Sequence, residues 1–228
     1  MNEVSLKSFL GKIQGELRKK EEVKEELQAD MRKATRLSKQ AILFTHQKRF
    51  EDAQRLLEEA NGLFAKLRKV SRKHPDLVYS GLVNAAFEEY AEAHILLELN
   101  KENRFVGPKA LRIPTIAYVL GLADVIGELR RTALDSLRDG NIERAKDCLQ
   151  MMEHIYVELM GMNEAYMLVP GLRRKCDVAR RIIETTRGDV TVEARRSSLE
   201  RSIKGLEKIL GRKRRAGKSV GVRAEFGD

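Results

Sequence analysis

The sequence predicts an all-α fold, and three observations carry that prediction. Apolar residues recur at intervals of three and four along nearly the whole chain. Only 4 prolines interrupt 228 residues, so helices can run long without losing a backbone donor. Large strand formers are scarce, with no Trp, 5 Tyr and 7 Phe. The length suits one domain with a sizeable core.

The first apolar series is Leu6, Phe9/Leu10, Ile13 and Leu17, then Val23, Leu27, Met31, Ala34, Leu37/Ser38 and Ala41/Ile42, which reads as one long helix or two in series. Phe50, Ala53, Leu57, Ala60, Phe64 and Leu67 follow with the alternating spacing of a coiled-coil seam. Pro75 closes this helix, and Asp76 can cap the next. A third helix is expected from about Leu77 to Leu99, with an apolar arc through Tyr79, Leu82, Val83, Ala86, Tyr90, Ala93 and Leu97. The segment from Asn100 to Arg112, which holds Gly107-Pro108, is an irregular connection. A fourth helix opens at Pro114, an early-helix proline, and stops at Asp139-Gly140-Asn141. The fifth, near Ile142 to Met160, turns Ala145, Leu149, Met152, Tyr156 and Leu159 inward. A sixth runs from near Pro170 to Gly188, and a seventh from about Thr191 to Leu210. Gly211 to Asp228 is Gly-rich and carries Arg212, Lys213, Arg214 and Arg215, a composition expected to stay disordered. The division is therefore a helical domain over 1–210 and a basic tail over 211–228. No internal repeat of fixed period is visible, which favours a compact bundle over a solenoid.

Lys and Arg total 44 against 34 Asp and Glu, a net charge of +10 that suits a polyanionic partner without specifying one. Cys148 and Cys176 have no second Cys or His at metal-ligand spacing and read as free thiols of a reducing compartment. The N-terminus is charged from the start, and no apolar run approaches the length of a membrane span. A cytoplasmic protein with no membrane partner is expected.

Chemistry is sought in polar residues that break the core pattern. On the third helix Glu89 falls at the edge of the apolar arc and Glu92 one step further around, whereas Glu88 faces the far side and reads as solvated. On the fourth, Asp124 and Glu128 stack four residues apart on a face that also carries Ala117, Gly121, Val125 and Thr132. Small residues there let another helix or a ligand approach closely. Acids at this spacing are ordinarily a solvated face or partners for Lys and Arg. Inside an apolar arc, however, a carboxylate is expensive unless it is paired, protonated or bound to a cation, and like charges four apart repel unless a hard divalent metal sits between them.

Rival chemistries fail on the residues. A di-iron bundle needs Glu-x-x-His, but the residues three before His46, His74, His94 and His154 are Leu43, Ser71, Ala91 and Met151. No nucleophile elbow and no phosphate-cradling Gly loop is present. The four histidines are assigned to the surface or the edge of the core.

The stretch Tyr118 to Leu129, written Y-x-L-G-x-A-D-x-x-G-E-L, resembles the signature helix of the Trax branch of the translin family. E-Y-x-E-A from Glu89 to Ala93 is similar to its partner helix, and Asp135 to Ile142 to the family's turn into the next helix. The resemblance implies a seven-helix protomer assembling into a closed shell, a homo-octamer, with single-stranded RNA held inside. It implies a metal-dependent endoribonuclease in which Glu89, Glu92, Asp124 and Glu128 are both metal ligands and catalytic residues for Mg²⁺ or Mn²⁺. Translin itself lacks acids at the positions matching Glu89, Glu92 and Asp124, so all four acids here place the chain on the catalytic side. Arg112 matches an arginine of Trax, and Arg130 and Arg131 join it as candidate RNA-phosphate ligands. The chain departs from the pattern in a shorter segment before the fourth helix and in Ala117, where an aspartate is expected. The alternative is a translin-like shell that binds RNA or single-stranded DNA without cleaving it.

Overall fold

A computed structural model describes residues 3–75, 81–163 and 165–221, with side chains described for 6–75, 81–163 and 166–210. Every element among these is a helix, in the order α1 (Glu3–His46), α2 (Phe50–Ser71), α3 (Gly81–Glu102), α4 (Pro108–Leu111), α5 (Thr115–Arg138), α6 (Ile142–Gly161), α7 (Ala165–Leu168) and α8 (Leu172–Gly221). The all-α expectation holds, with eight helices rather than seven. The first series is one helix of 44 residues. The sixth and seventh expected helices are a single element, α8, which also continues past Gly211 into the segment expected to be disordered. No proline follows Pro170, so nothing removes a backbone donor at Gly188. Contacts bridge the expected break: Thr186 is buried, and Val190 packs with Ala133, Ala145 and Cys148. The connection expected from Asn100 begins later, since α3 runs to Glu102, and it contains the one-turn α4. Asp76, Leu77 and Tyr79 lie outside the described residues.

The α2 seam is buried as its spacing predicts, at Ala53, Leu57, Ala60, Phe64 and Leu67. Asn141 caps α6 by accepting a hydrogen bond from the Arg144 amide at 3.1 Å, and Gly140 takes the left-handed φ of 76° that the preceding turn requires. α3 is the central helix. It packs against α1, α2 and α5, and its buried residues, among them Val83, Phe87, Tyr90, Ala91, Ile95 and Leu96, occupy most of its circumference. α5 in turn packs on α3, α6 and α8. Any acid at the α3–α5 seam is therefore flanked by the bundle.

Candidate acidic site at the α3–α5 seam

Gly121 sets the geometry of this seam. A Cβ at this position would lie 2.6 Å from the Glu88 carbonyl oxygen, 2.8 Å from the Ala91 Cβ and 3.0 Å from the Glu92 amide nitrogen. The two backbones approach this closely because neither Gly121 nor Ala91 carries a longer side chain. The small-residue face read from the sequence thus receives α3, with Glu88 and Glu92 on one side of the contact and Asp124 and Glu128 one and two turns along the other helix.

The acids sense one another. Glu92 is pushed up to about 8, first by burial and then by the charges of Asp124, Glu89 and Glu128, against the opposing pull of Lys175. All four sequence-predicted acids therefore share one electrostatic site. Glu88 belongs to it as well, which corrects the solvated assignment: it is partly buried, lies 3.7 Å from Lys175, and is raised by burial and by its neighbours Asp124 and Glu89. The wheel misplaced it because α3 is covered nearly all round, leaving no solvated far side for Glu88 to occupy.

Two lysines and a histidine from other helices hold the cluster. Lys175 of α8 donates to Asp124 Oδ2 at 2.5 Å, Lys39 of α1 lies 3.2 Å from Glu89, and His46, at the end of α1, donates from Nε2 to Glu128 Oε2 at 2.6 Å. The His46 bond holds the Glu128 carboxyl below its ordinary range despite burial. His46 is therefore a buried partner of the site, 82 residues from Glu128 in sequence, with no local signal by which to find it. Among the described residues, no three His, Cys, Asp or Glu side chains are already gathered closely enough to hold a metal ion.

Beside Asp124, a cleft of about 460 Å³ opens between α5 and α8, lined in part by Gly127, Arg174, Lys175 and Ile182. Of the three arginines singled out, Arg131 is exposed and 3.9 Å from Glu128. Arg130 is committed to bracing α8, donating to Thr186 Oγ1 at 2.7 Å and pairing with Asp189 at 3.3 Å. Arg112 ends α4 in the left-handed conformation, φ 55°, and lines a separate cleft with Arg68 and Phe87. Ala117 is buried and offers no ligand atom. Cys148 and Cys176 are free and buried, and among the described residues no helix is long and apolar enough to cross a membrane.

Comparison with known proteins agrees with this architecture. The chain is 34% identical to the protein in the crystal structure of AfC3PO, at a TM-score of 0.73, and covers 96% of that chain with 81% of its own. The AfC3PO complex with duplex RNA matches at 33% identity and a TM-score of 0.72, over the same shares of the two chains. Apo-NeC3PO matches at 28% identity and 0.72, again over 81% of this chain and 96% of that one. An uncharacterized protein of Methanocaldococcus jannaschii, MJ0175, is 30% identical over 192 residues, 84% of this chain and 85% of the relative. The family model described as "Translin family" matches residues 22–185, nearly the whole span in which α1 to α8 pack together, and the chain belongs to the translin family.

Proposed function

We propose that the protein is a metal-dependent endoribonuclease of the Trax type, working on RNA inside an oligomeric shell. One observation carries this reading. At the seam closed by Gly121, Glu92 is buried within reach of the charges of Asp124, Glu89 and Glu128, and burial first, then those charges, push it up to about 8. The oxygens of these acids are the donors that Mg²⁺ or Mn²⁺ prefers, and mutual repulsion is what a divalent cation relieves. Asp124 first, then Glu89 and Glu92, and Glu128 last, are the residues that would hold such an ion, which when bound would supply Lewis-acid polarisation of a phosphodiester and lower the pKa of water. Glu89 and Glu92 serve there as ligands or as bases that orient the attacking water. His46 fixes the orientation of Glu128, and Lys39 and Lys175 hold Glu89 and Asp124 in place.

RNA is the substrate class that the net charge of +10 suits and that the AfC3PO complex contains. Arg112 and Arg131 are exposed and available to phosphates, whereas Arg130 would first have to leave α8. Each phosphate contact removed, as by Arg112→Ala, lowers the slope of log affinity against log salt by about 0.7 on single strands. The assembly is a homo-octamer, which light scattering reads as eight times the 26.0 kDa chain.

One observation favours a second reading, a shell that binds RNA or single-stranded DNA without cleaving it: Lys175 already neutralises Asp124 as a cation would. Purified protein incubated with labelled single-stranded and duplex RNA, in Mg²⁺ or in EDTA, separates the two. Cleavage in Mg²⁺ alone supports the nuclease; binding without cleavage in either leaves the shell.

A further inference from the structure

Both long helices carry an apolar seam that the bundle leaves bare. On α1, Leu6, Leu10, Ile13 and Leu17 are spaced 4-3-4 and are 50–63% exposed; on α8, Leu199, Ile203, Leu206 and Leu210 repeat that spacing and are 48–62% exposed. The bundle buries α1 only from Leu27 onward and α8 only as far as Val190, so each seam sits on a projecting arm. On α8 the seam is also a face of its own. The bundle-facing residues Cys176, Ala179, Ile183, Thr186 and Val190 step through one heptad register, and Leu199 to Leu210 fall one residue out of it. Both arms lie outside residues 22–185, the span shared with the family.

We propose that the α1 arm of one copy of this chain packs antiparallel on the α8 arm of a second copy. The two seams are equal in length, about 16 Å each at the rise of an α-helix. Antiparallel alignment makes four layers, Leu6 on Leu210, Leu10 on Leu206, Ile13 on Ile203 and Leu17 on Leu199. The flanking positions then agree in chemistry: Lys7 faces Glu207, Gln14 faces Glu200, and the exposed Phe9 faces the exposed Ile209. Other pairings set these flanks against each other. Two α8 arms place Glu200 against Glu207, two α1 arms place Phe9 against Glu16, and a parallel α1–α8 pair places Phe9 beside Glu207 and Lys7 beside Arg195. Within one chain the arms grow from different parts of the bundle, α1 packing on α2 and α3 and α8 on α5 and α6, so the partner is another copy. Each arm is the extension of a helix already folded in the bundle, which removes the ordering cost that two isolated short helices would face.

The test uses two differently tagged full-length chains, Leu10→Cys and Leu206→Cys, co-expressed, purified and oxidised; the native Cys148 and Cys176 are buried and serve as background. A disulfide joining the two tags is expected, while Leu10→Cys with Leu199→Cys, seven residues or about 10 Å out of register, gives none. Lys7→Glu lowers the yield of the mixed disulfide by roughly twofold, and adding Glu207→Lys restores it. Leu206→Cys crosslinking to itself, a Leu10→Cys/Leu206→Cys chain closing on itself at monomer mass, or no mixed disulfide would each overturn the proposal. Circular dichroism of every variant confirms that the bundle is intact. None of these readouts depends on the nuclease reading.

Discussion

On one side of α3, Glu92 keeps its proton to about pH 8; two residues on, and so roughly opposite around the helix, His94 gives its proton up until about pH 4. Burial is the largest cause of both shifts, and it acts the same way each time, against the charged form. The difference lies in what surrounds each group. His94 has its partner on its own helix, the Tyr90 hydroxyl 3.0 Å from Nε2, with the two rings edge to face. It is a neutral group in a satisfied pocket. Glu92 has acids as neighbours, and their charges add to burial in holding its proton. A buried ionisable residue is thus a functional candidate when its neighbours share the sign of its charge, and a structural one when they complete its hydrogen bond.

The sharpest way to break this comparison is at Asp124. Asn keeps the shape and loses the anionic oxygen, so Asp124→Asn should reduce Mg²⁺-dependent RNA cleavage by at least about a hundredfold while RNA binding and particle mass stay unchanged. Lys175 loses its ion pair in the same variant, and Lys175→Met serves as the control for that loss. Wild-type rates in both Asp124→Asn and Glu89→Gln would transfer the protein to the binding-shell reading.

The acid side also has a stability signature in metal-free protein. Glu92 is raised from its ordinary 4.5 to about 8, so between those values the folded chain holds a proton that the unfolded chain has released. Stability therefore falls as pH rises through this window and levels off above it. Glu92→Gln, which mimics the protonated carboxyl, should flatten the fall and be the more stable protein at pH 9. The gain is a few kcal/mol at most, since a shift is worth about 1.4 kcal/mol per unit and the neighbouring acids relax in turn. Urea denaturation at pH 5, 7 and 9 in EDTA measures it, and parallel curves for the two proteins would refute the assignment.

Gly121 and Gly127 sharpen the geometric half of the comparison, because they sit on the same helix with opposite surroundings. A methyl at Gly121 meets the Glu88 carbonyl, a backbone atom that cannot rotate away, whereas nothing lies within 4 Å of one at Gly127. Overpacking strain of about 1–3 kcal/mol outweighs the ~1 kcal/mol helix-propensity gain at Gly121. Thermal melts should show Gly121→Ala lowered and Gly127→Ala slightly raised.

The two sides of the site were not equally legible in the sequence. Acids and small residues on α5 repeat within one helix, so local spacing exposed Asp124, Glu128 and Gly121 together. The partners that answer them come from elsewhere: Lys39 and His46 lie on α1, and Lys175 is 51 residues beyond Asp124. No periodicity links such residues; only the packing of α1 and α8 does. Glu88 was misjudged for a related reason, since a helical wheel finds a solvated face only on a helix that has one, and α3 is buried nearly all round. The join of the sixth and seventh helices into α8 was hidden in the same way. Gly188-Asp189 looks like a stop, yet Arg130 binds both Asp189 and Thr186 across it.

His94 should give the smallest effect on activity. If neutral burial beside Tyr90 is all it does, His94→Gln leaves Mg²⁺-dependent cleavage unchanged, because the side chain points away from the acids and its neighbour is a hydroxyl rather than a carboxylate of the cluster. Its effect belongs to stability at acid pH. The folded-state value near 4 lies below the ordinary 6.5, so as pH falls through that window the unfolded chain takes up a proton that the folded chain refuses, and stability is lost. The Gln variant lacks this loss, and its stability should fall less steeply than that of the wild type between about pH 6.5 and 4. At pH 7.5, where both side chains are neutral, the variant pays only for imperfect packing against Tyr90, which melting curves record as a modest drop. A cleavage defect at pH 7.5 comparable with that of Asp124→Asn, in a protein that melts normally, would place His94 inside the catalytic site and dissolve the distinction between the two faces of α3.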